Sequence, residues 1–142
     1  MLNLSVLENA IDSMQKIVDR SNDIEFMSKQ DFITINAIQS GVIQHFEIVY
    51  ELCWKFMQRW IKENHSPEEA DYPRTRKELF RTAARLGLIS DPLPWFSYGD
   101  ARNMTTHTYD ESKARQVYEI SKNLVKDAMD LLNRLKEKNV AS

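Results

Sequence analysis

All four prolines of this 142-residue chain fall between positions 67 and 94, and only three glycines occur in it. Proline and glycine are the strongest breakers of regular structure. Both outer thirds of the chain are therefore free to form long helices, and the turns are gathered in the middle. No alternating apolar pattern suggests a strand, and no internal repeat is present.

The apolar spacing fills in this outline. Leu4, Leu7, Ile11, Met14 and Val18 recur at intervals of three and four, which predicts a first helix with one buried stripe, ending near "RSND" at 20–23. A second helix is expected over about 34–64. Its apolar face is wide (Ile38, Val42, Ile43, Phe46, Val49, Tyr50, Cys53, Phe56, Met57 and Trp60), so it should be central. Gly41 costs that helix about 1 kcal/mol relative to alanine, a cost that a close helix crossing or a later helix start would explain. "HSPEEADYP" reads as a connector in which Ser66, Pro67 and Glu69 have the form of a capping box. A short helix after Pro73 carries Leu79, Phe80, Ala83, Ala84 and Leu86, with Gly87 as its C′ residue. A further helical piece starts near Pro94 and carries Arg102. Asp110 looks like the N-cap of a last helix over about 111–137, burying Ala114, Val117, Ile120, Leu124, Ala128, Leu131 and Leu135. The expected fold is an all-α, antiparallel up-and-down bundle, four-helix-bundle-like, with three long helices plus short ones in a single domain over 1–142.

Charge and cysteine narrow the function classes. With 19 Lys and Arg against 21 Asp and Glu, the formal net charge is −2, which argues against a surface built throughout to grip nucleic acid but leaves room for a local basic site. Cys53 is the only cysteine, so no internal disulfide can form, which fits a reducing compartment. No secretory signal pattern opens the chain, and no window approaches the ~20 apolar residues of a bilayer span. The expectation is a cytoplasmic protein without a membrane role.

Chemistry concentrates in "ARNMTTHTYD", residues 101–110. His107 can exchange a proton near neutral pH, and the planar fork of Arg102 matches a phosphate. Together they suit phosphodiester cleavage, with His107 as acid or base and Arg102 against the charge on phosphorus, a scheme that calls for no metal or cofactor. Five residues of helix rotate the side-chain direction by roughly 140°, so the pair shares no face of a regular helix. It converges only where the helix ends between the two or where a second chain shares the cleft. The alternative is structural: Arg102 pairs with a carboxylate and His107 caps a helix. In "FEIVYELCWK", Glu47 and Glu51 lie four apart and repel by a few tenths of a kcal/mol, so a cation should serve them. Lys55 and Arg102 are the candidates, and the latter would make Glu47 or Glu51 a support for the site. His45 and His65 have no metal-ligand spacing, and no Gly-rich phosphate loop is present. Trp54, Trp60, Trp95, Phe96 and Tyr98 read as core or interface.

"GVIQHFEIVYELCWKFMQ", "LGLISD" and "ARNMTTHTYDE", in that order, resemble the nucleotidyltransferase substrate-binding proteins, helical bundles of the HEPN superfamily related to the HepT toxins. The likeness covers about residues 33–135. An R-x4-H alone would be weak, whereas R-N-x3-H-x-Y after an F-E-x3-E-x2-W-K helix is specific. The resemblance implies a homodimer with an Arg/His cleft near the subunit interface. It also implies a small nucleotidyltransferase encoded nearby as partner, for which the helical chain supplies substrate or nucleotide binding. In HepT relatives the motif is a metal-independent ribonuclease toxin of a toxin–antitoxin pair, silenced when the nucleotidyltransferase adds AMP to the motif tyrosine. The matching positions are Arg102 and His107 as the catalytic pair if the chain is a nuclease, Asn103 as the polar neighbour, and Tyr109 as the AMP acceptor. The first expectation is the partner subunit, with the ribonuclease acting on RNA as the alternative.

Overall fold

The computed structural model describes residues 1–65 and 75–141. The described elements are α1 (Ser5–Asn22), α2 (Ile24–Ser28), α3 (Phe32–Asn64), α4 (Arg76–Arg85), α5 (Leu93–Met104), a 3-10 turn (Thr105–His107) and α6 (Glu111–Ala141). The fold is all-helical, with α1, α3 and α6 as its long members.

Short polar side chains set the helix boundaries. Asp23 closes α1 through its backbone N–H to the Arg20 carbonyl (3.2 Å), and its carboxylate accepts from the Phe26 N–H (3.0 Å) to open α2. One residue thus ends a helix and begins the next, so "RSND" marks a boundary, and the five-residue α2 behind it is too short to leave a periodic signal. Asp31 caps α3 by accepting from the Thr34 N–H (2.7 Å), a bond that holds its carboxyl below the ordinary carboxylate range. α4 begins at the Thr75 hydroxyl, which accepts from the Glu78 N–H (3.2 Å), and ends as expected at Gly87. There φ is +81°, and the Leu88 and Gly87 N–H groups reach back to the Ala83 and Ala84 carbonyls (2.9 and 3.1 Å), a Schellman closure. The Ser66, Pro67 and Glu69 capping box lies outside the described residues.

The core forms from the stripes. Leu7, Ile11 and Met14 of α1, Val42, Phe46, Val49 and Cys53 of α3, and Leu124, Ala128, Leu131 and Leu135 of α6 are all buried. Each large apolar side chain so buried contributes roughly 1.5–3 kcal/mol. Ala114 and Ile120, expected inside, are only half-buried. Gly41 lies within α3, and a Cβ there would come to 2.5 Å from Ile17 Cδ1. α1 therefore passes close to Gly41, but what stands against a Cβ is only the flexible tip of the half-buried Ile17, so the crossing favours a small residue without requiring glycine.

Polar ties fix the direction of the packing. Asn139 donates to the Leu2 carbonyl (3.0 Å), Lys136 meets Glu8 (2.7 Å), and the Ser21 and Tyr118 hydroxyls are hydrogen-bonded. Residue numbers rise along α1 as they fall along α6, so the two helices are antiparallel. Gly87, Ser90 and Tyr98 meet Arg134, Asp130 and Asn123 in the same descending order, which lays the segment leading into α5 antiparallel to α6. No helix among the described residues is long and apolar enough to cross a membrane.

Candidate functional site

The polar run 101–110 is the corner between α5 and α6. α5 ends at Met104, between Arg102 and His107, and the 3-10 turn carries His107 outward. Thr105 holds this corner from both sides. Its hydroxyl donates to the Arg102 carbonyl (2.8 Å) and accepts from the Arg102 guanidinium (3.2 Å). Beyond the turn, the Asp110 carboxylate accepts from the Ser112 and Lys113 N–H groups (2.9 and 3.3 Å) and caps α6 as expected.

Arg102 points toward α3. Its Nε lies 3.4 Å from Glu51 Oε1, with both side chains about one-third exposed. That nitrogen is shielded from solvent yet makes no directed hydrogen bond, so the pair is held by charge rather than by an aligned N–H. The other Glu51 oxygen accepts from Trp54 Nε1 (3.0 Å). Of the two expected support carboxylates, Glu51 reaches Arg102. Glu47, one turn earlier, is half-buried, and among the described residues no ion pair joins it to Arg102. Nor, among the described residues, does an ion pair join Lys55 to Glu51: the lysine ammonium sits 5.6 Å from the Trp54 ring centroid.

His107 and Tyr109 form the open half. His107 Nδ1 is 3.3 Å from the Tyr109 hydroxyl, with the rings nearly perpendicular and centroids 5.9 Å apart. When the phenol donates, Nδ1 accepts and the neutral imidazole carries its proton on Nε2. Tyr109 is 83% exposed and His107 is also exposed. Among the described residues no hydrogen bond or ion pair joins Arg102 to His107. The helix end separates the pair and leaves each with its own neighbours.

Two recesses flank the corner. A cleft of about 330 Å³ lies between α3, α4 and α5, lined by Tyr50, Arg76, Phe96, Gly99, Arg102 and Asn103 among others. Gly99 gives it depth, since a Cβ there would stand 3.2 Å from the Tyr50 hydroxyl. Burial pushes the Tyr50 phenol above the ordinary tyrosine range, opposed by the hydrogen bond from Arg76 (3.3 Å). On the other side, a groove of about 710 Å³ runs between the first half of α3 and the start of α6, with Phe32, Asn36, Tyr109 and Arg115 on its walls.

Arg102 and Asn103 thus line the cleft, with Glu51 paired to Arg102, while Tyr109 lines the groove and His107 stands against Tyr109. Thr105, Tyr50, Gly99 and Arg76 belong to the site and were not anticipated. Only Arg76 had a visible signal, at the head of the basic run "RKELFR". Chemically, the corner offers a guanidinium with N–H groups to spare, an accessible imidazole and an exposed phenol. Cys53 is fully buried, and desolvation drives its thiol pKa upward, so it is no nucleophile. No group of His, Cys, Asp and Glu among the described residues could hold a metal ion.

Comparison with known proteins places the chain as a whole. The family described as nucleotidyltransferase substrate binding protein like matches residues 2–137. A Haemophilus influenzae protein named probable ribonuclease HepT is 36% identical over 138 residues, covering 97% of this chain and 94% of that one. A solved Haemophilus influenzae protein, described as having the fold of a substrate binding domain of a nucleotidyltransferase, superposes with a TM-score of 0.88 at 35% identity, over 94% of this chain and 99% of that one. A Thermus thermophilus structure shares the fold at a TM-score of 0.70 and 23% identity, over 91% and 98% of the two chains.

Proposed function

This chain belongs to the nucleotidyltransferase substrate-binding-protein-like family, and from that premise we propose that it is the helical, nucleotide- or acceptor-binding subunit of a two-component minimal nucleotidyltransferase, working as a cytoplasmic homodimer. The observation that carries this reading is the match of residues 2–137 to a family described by substrate binding for a nucleotidyltransferase, and the division of the motif accords with it. Within one chain Arg102 is engaged by Glu51 and Thr105 while His107 is turned to Tyr109, so the Arg/His pair is not assembled as a self-contained cutting site. A subunit that presents groups to a second protein has no need of that assembly. Two copies are supported by exposed apolar side chains beside the groove, Phe32 at 72% and Ile33 at 77%. The chemistry of transfer belongs to the partner, a small nucleotidyltransferase encoded nearby.

Co-expression tests it. The expected outcome is a stable complex with that nucleotidyltransferase, a dimer mass for the chain alone by light scattering, and intact RNA after incubation with the pure chain. RNA degradation by the pure chain, abolished in His107→Ala, would replace this reading with the second one.

That second reading is a metal-independent ribonuclease toxin, favoured by the accessible His107 imidazole and by the relative named as a probable ribonuclease. The 2′-oxygen would attack the adjacent phosphorus as the bond to the 5′-oxygen breaks. The 2′-hydroxyl proton passes through His107 to the leaving 5′-oxygen, giving a 2′,3′-cyclic phosphate, and Arg102 holds the phosphate. Tyr109 is then the off-switch. Its hydroxyl oxygen attacks the α-phosphorus of ATP in the partner's active site, pyrophosphate leaves, and the attached AMP brings bulk and negative charge to the cleft. Expression alone should arrest growth, with rescue by Arg102→Ala. The AMP adduct should map to Tyr109 by mass spectrometry.

A further inference from the structure

The chain as a whole is slightly acidic, yet α4 carries Arg76, Lys77, Arg81 and Arg85 against the single carboxylate of Glu78. This helix forms one wall of the cleft that Arg102 and Asn103 also line. Arg76, Lys77 and Arg81 are exposed, and among the described residues none of them forms an ion pair with a carboxylate. Aromatic rings hold them instead. The Arg76 guanidinium lies 3.9 Å from the Trp54 ring centroid and donates to the Tyr50 hydroxyl at 3.3 Å. Lys77 and Arg81 lie 5.7 and 5.2 Å from the Phe96 centroid. A ring fixes where a cation sits without cancelling its charge, which a carboxylate would do. The cleft lining holds three cations, Arg76, Lys77 and Arg102, and one carboxylate, Asp100. Of the three, Arg102 is already paired with Glu51.

We infer that this cleft is a second anion subsite, in which Arg76 and Lys77, with Arg81 beside them, bind a nucleotide phosphate next to the one that Arg102 would hold. The planar guanidinium of Arg76, pre-positioned by Trp54 and Tyr50, offers paired N–H donors to phosphate oxygens, and Lys77 and Arg81 add point charge. Gly99 keeps the floor open for the ligand. The inference depends on the proposed function only for the nucleotide nature of the ligand. The same phosphate chemistry can come from an RNA strand running past Arg102 or from a mononucleotide such as ATP.

The test is a titration of the full chain with a fluorescein-labelled single-stranded RNA of about ten nucleotides and, separately, with ATP. RNA arms are run in a His107→Ala background so that the strand stays whole. Lys77→Gln combined with Arg81→Gln removes charge without breaking any side-chain hydrogen bond among the described residues, so folding is preserved. It should weaken binding about tenfold and flatten the dependence of log affinity on log salt by about 0.7 for each phosphate no longer neutralised. Arg76→Gln should weaken binding similarly, with circular dichroism reporting whether removing the hydrogen bond to Tyr50 disturbs the fold. Asp100→Asn should act in the opposite direction and tighten binding. RNA affinity that depends on these residues identifies a strand as the source, and the same dependence for ATP alone identifies a mononucleotide. Unchanged affinity in the Lys77/Arg81 double variant, or no binding of either probe, overturns the subsite. Failure to co-purify with the nucleotidyltransferase would instead strike the proposed function and leave this titration untouched.

Discussion

Arg102 and Tyr109 stand seven residues apart in one motif, yet they live in different surroundings. The Arg102 half is tied into the bundle through Glu51 on α3, Thr105 at the helix end and the cleft beside Tyr50. In the other half, His107 ends the 3-10 turn and meets the exposed Tyr109 just beyond it. Groups tied into the packing carry part of the fold's stability, and groups outside it can be protonated or modified at little structural cost. The motif thus joins a fixed charge to a changeable surface.

The largest effect expected from this contrast is on Glu51→Ala. It leaves Arg102 Nε shielded and without a counter-charge, and strips the Trp54 N–H of its acceptor. Denaturant unfolding should show a loss of about 2 kcal/mol, less than for a fully buried pair because solvent still reaches both side chains. An equal loss in His107→Ala would break the comparison.

The tyrosines repeat the contrast. Tyr98, 3% exposed, donates to the Asn123 carbonyl (3.1 Å) and the Asp127 carboxylate, and burial followed by that carboxylate pushes its pKa well above the usual value near 10. Tyr50 is raised as well, chiefly by burial. Above about pH 10 the unfolded chain gives up phenol protons that the folded chain keeps. The stability these two groups contribute is complete below about pH 10 and is lost as pH rises through their folded values. Tyr98→Phe should cost about 1 kcal/mol at neutral pH and reduce this alkaline fall, as followed by thermal melts across about pH 8–11.

A double-mutant cycle gives a finer reading. Glu51 and Arg102 should couple by about 1 kcal/mol, and Glu47 and Arg102 by about zero, since no ion pair links the latter two. The smallest effects belong to the open half. His107→Ala and Tyr109→Phe should stay within about 0.5 kcal/mol of the parent protein, so any loss of growth arrest or of AMP adduct in them would be chemical rather than structural.

Most of the bundle could be read from spacing, because burial imposes a helical period on the residues that face the core. Leu7, Ile11, Met14 and Val18 announced α1, and Gly87 and Asp110 marked ends through the backbone conformation and capping that they favour. α2 was missed because five residues cannot display a period. The Arg102–Glu51 link was a candidate from charge alone, but its choice over Lys55 and Glu47 depends on where α5 crosses α3, which no local pattern encodes. The outward turn of His107 follows from α5 stopping at Met104, and Thr105, the residue that fixes that stop, looks like any other threonine in sequence. The family resemblance pointed to Arg102, His107 and Tyr109, but it was silent about the cations of α4.

Gly99 has a consequence for how such a cleft can change over time. The space between α4 and α5 is as deep as it is because one methyl group is absent opposite the Tyr50 hydroxyl. A single-step substitution to alanine would make the cleft shallower while leaving every charge around it in place. Shape and charge can therefore drift independently here, so a lineage could narrow the cleft without surrendering its positive charge.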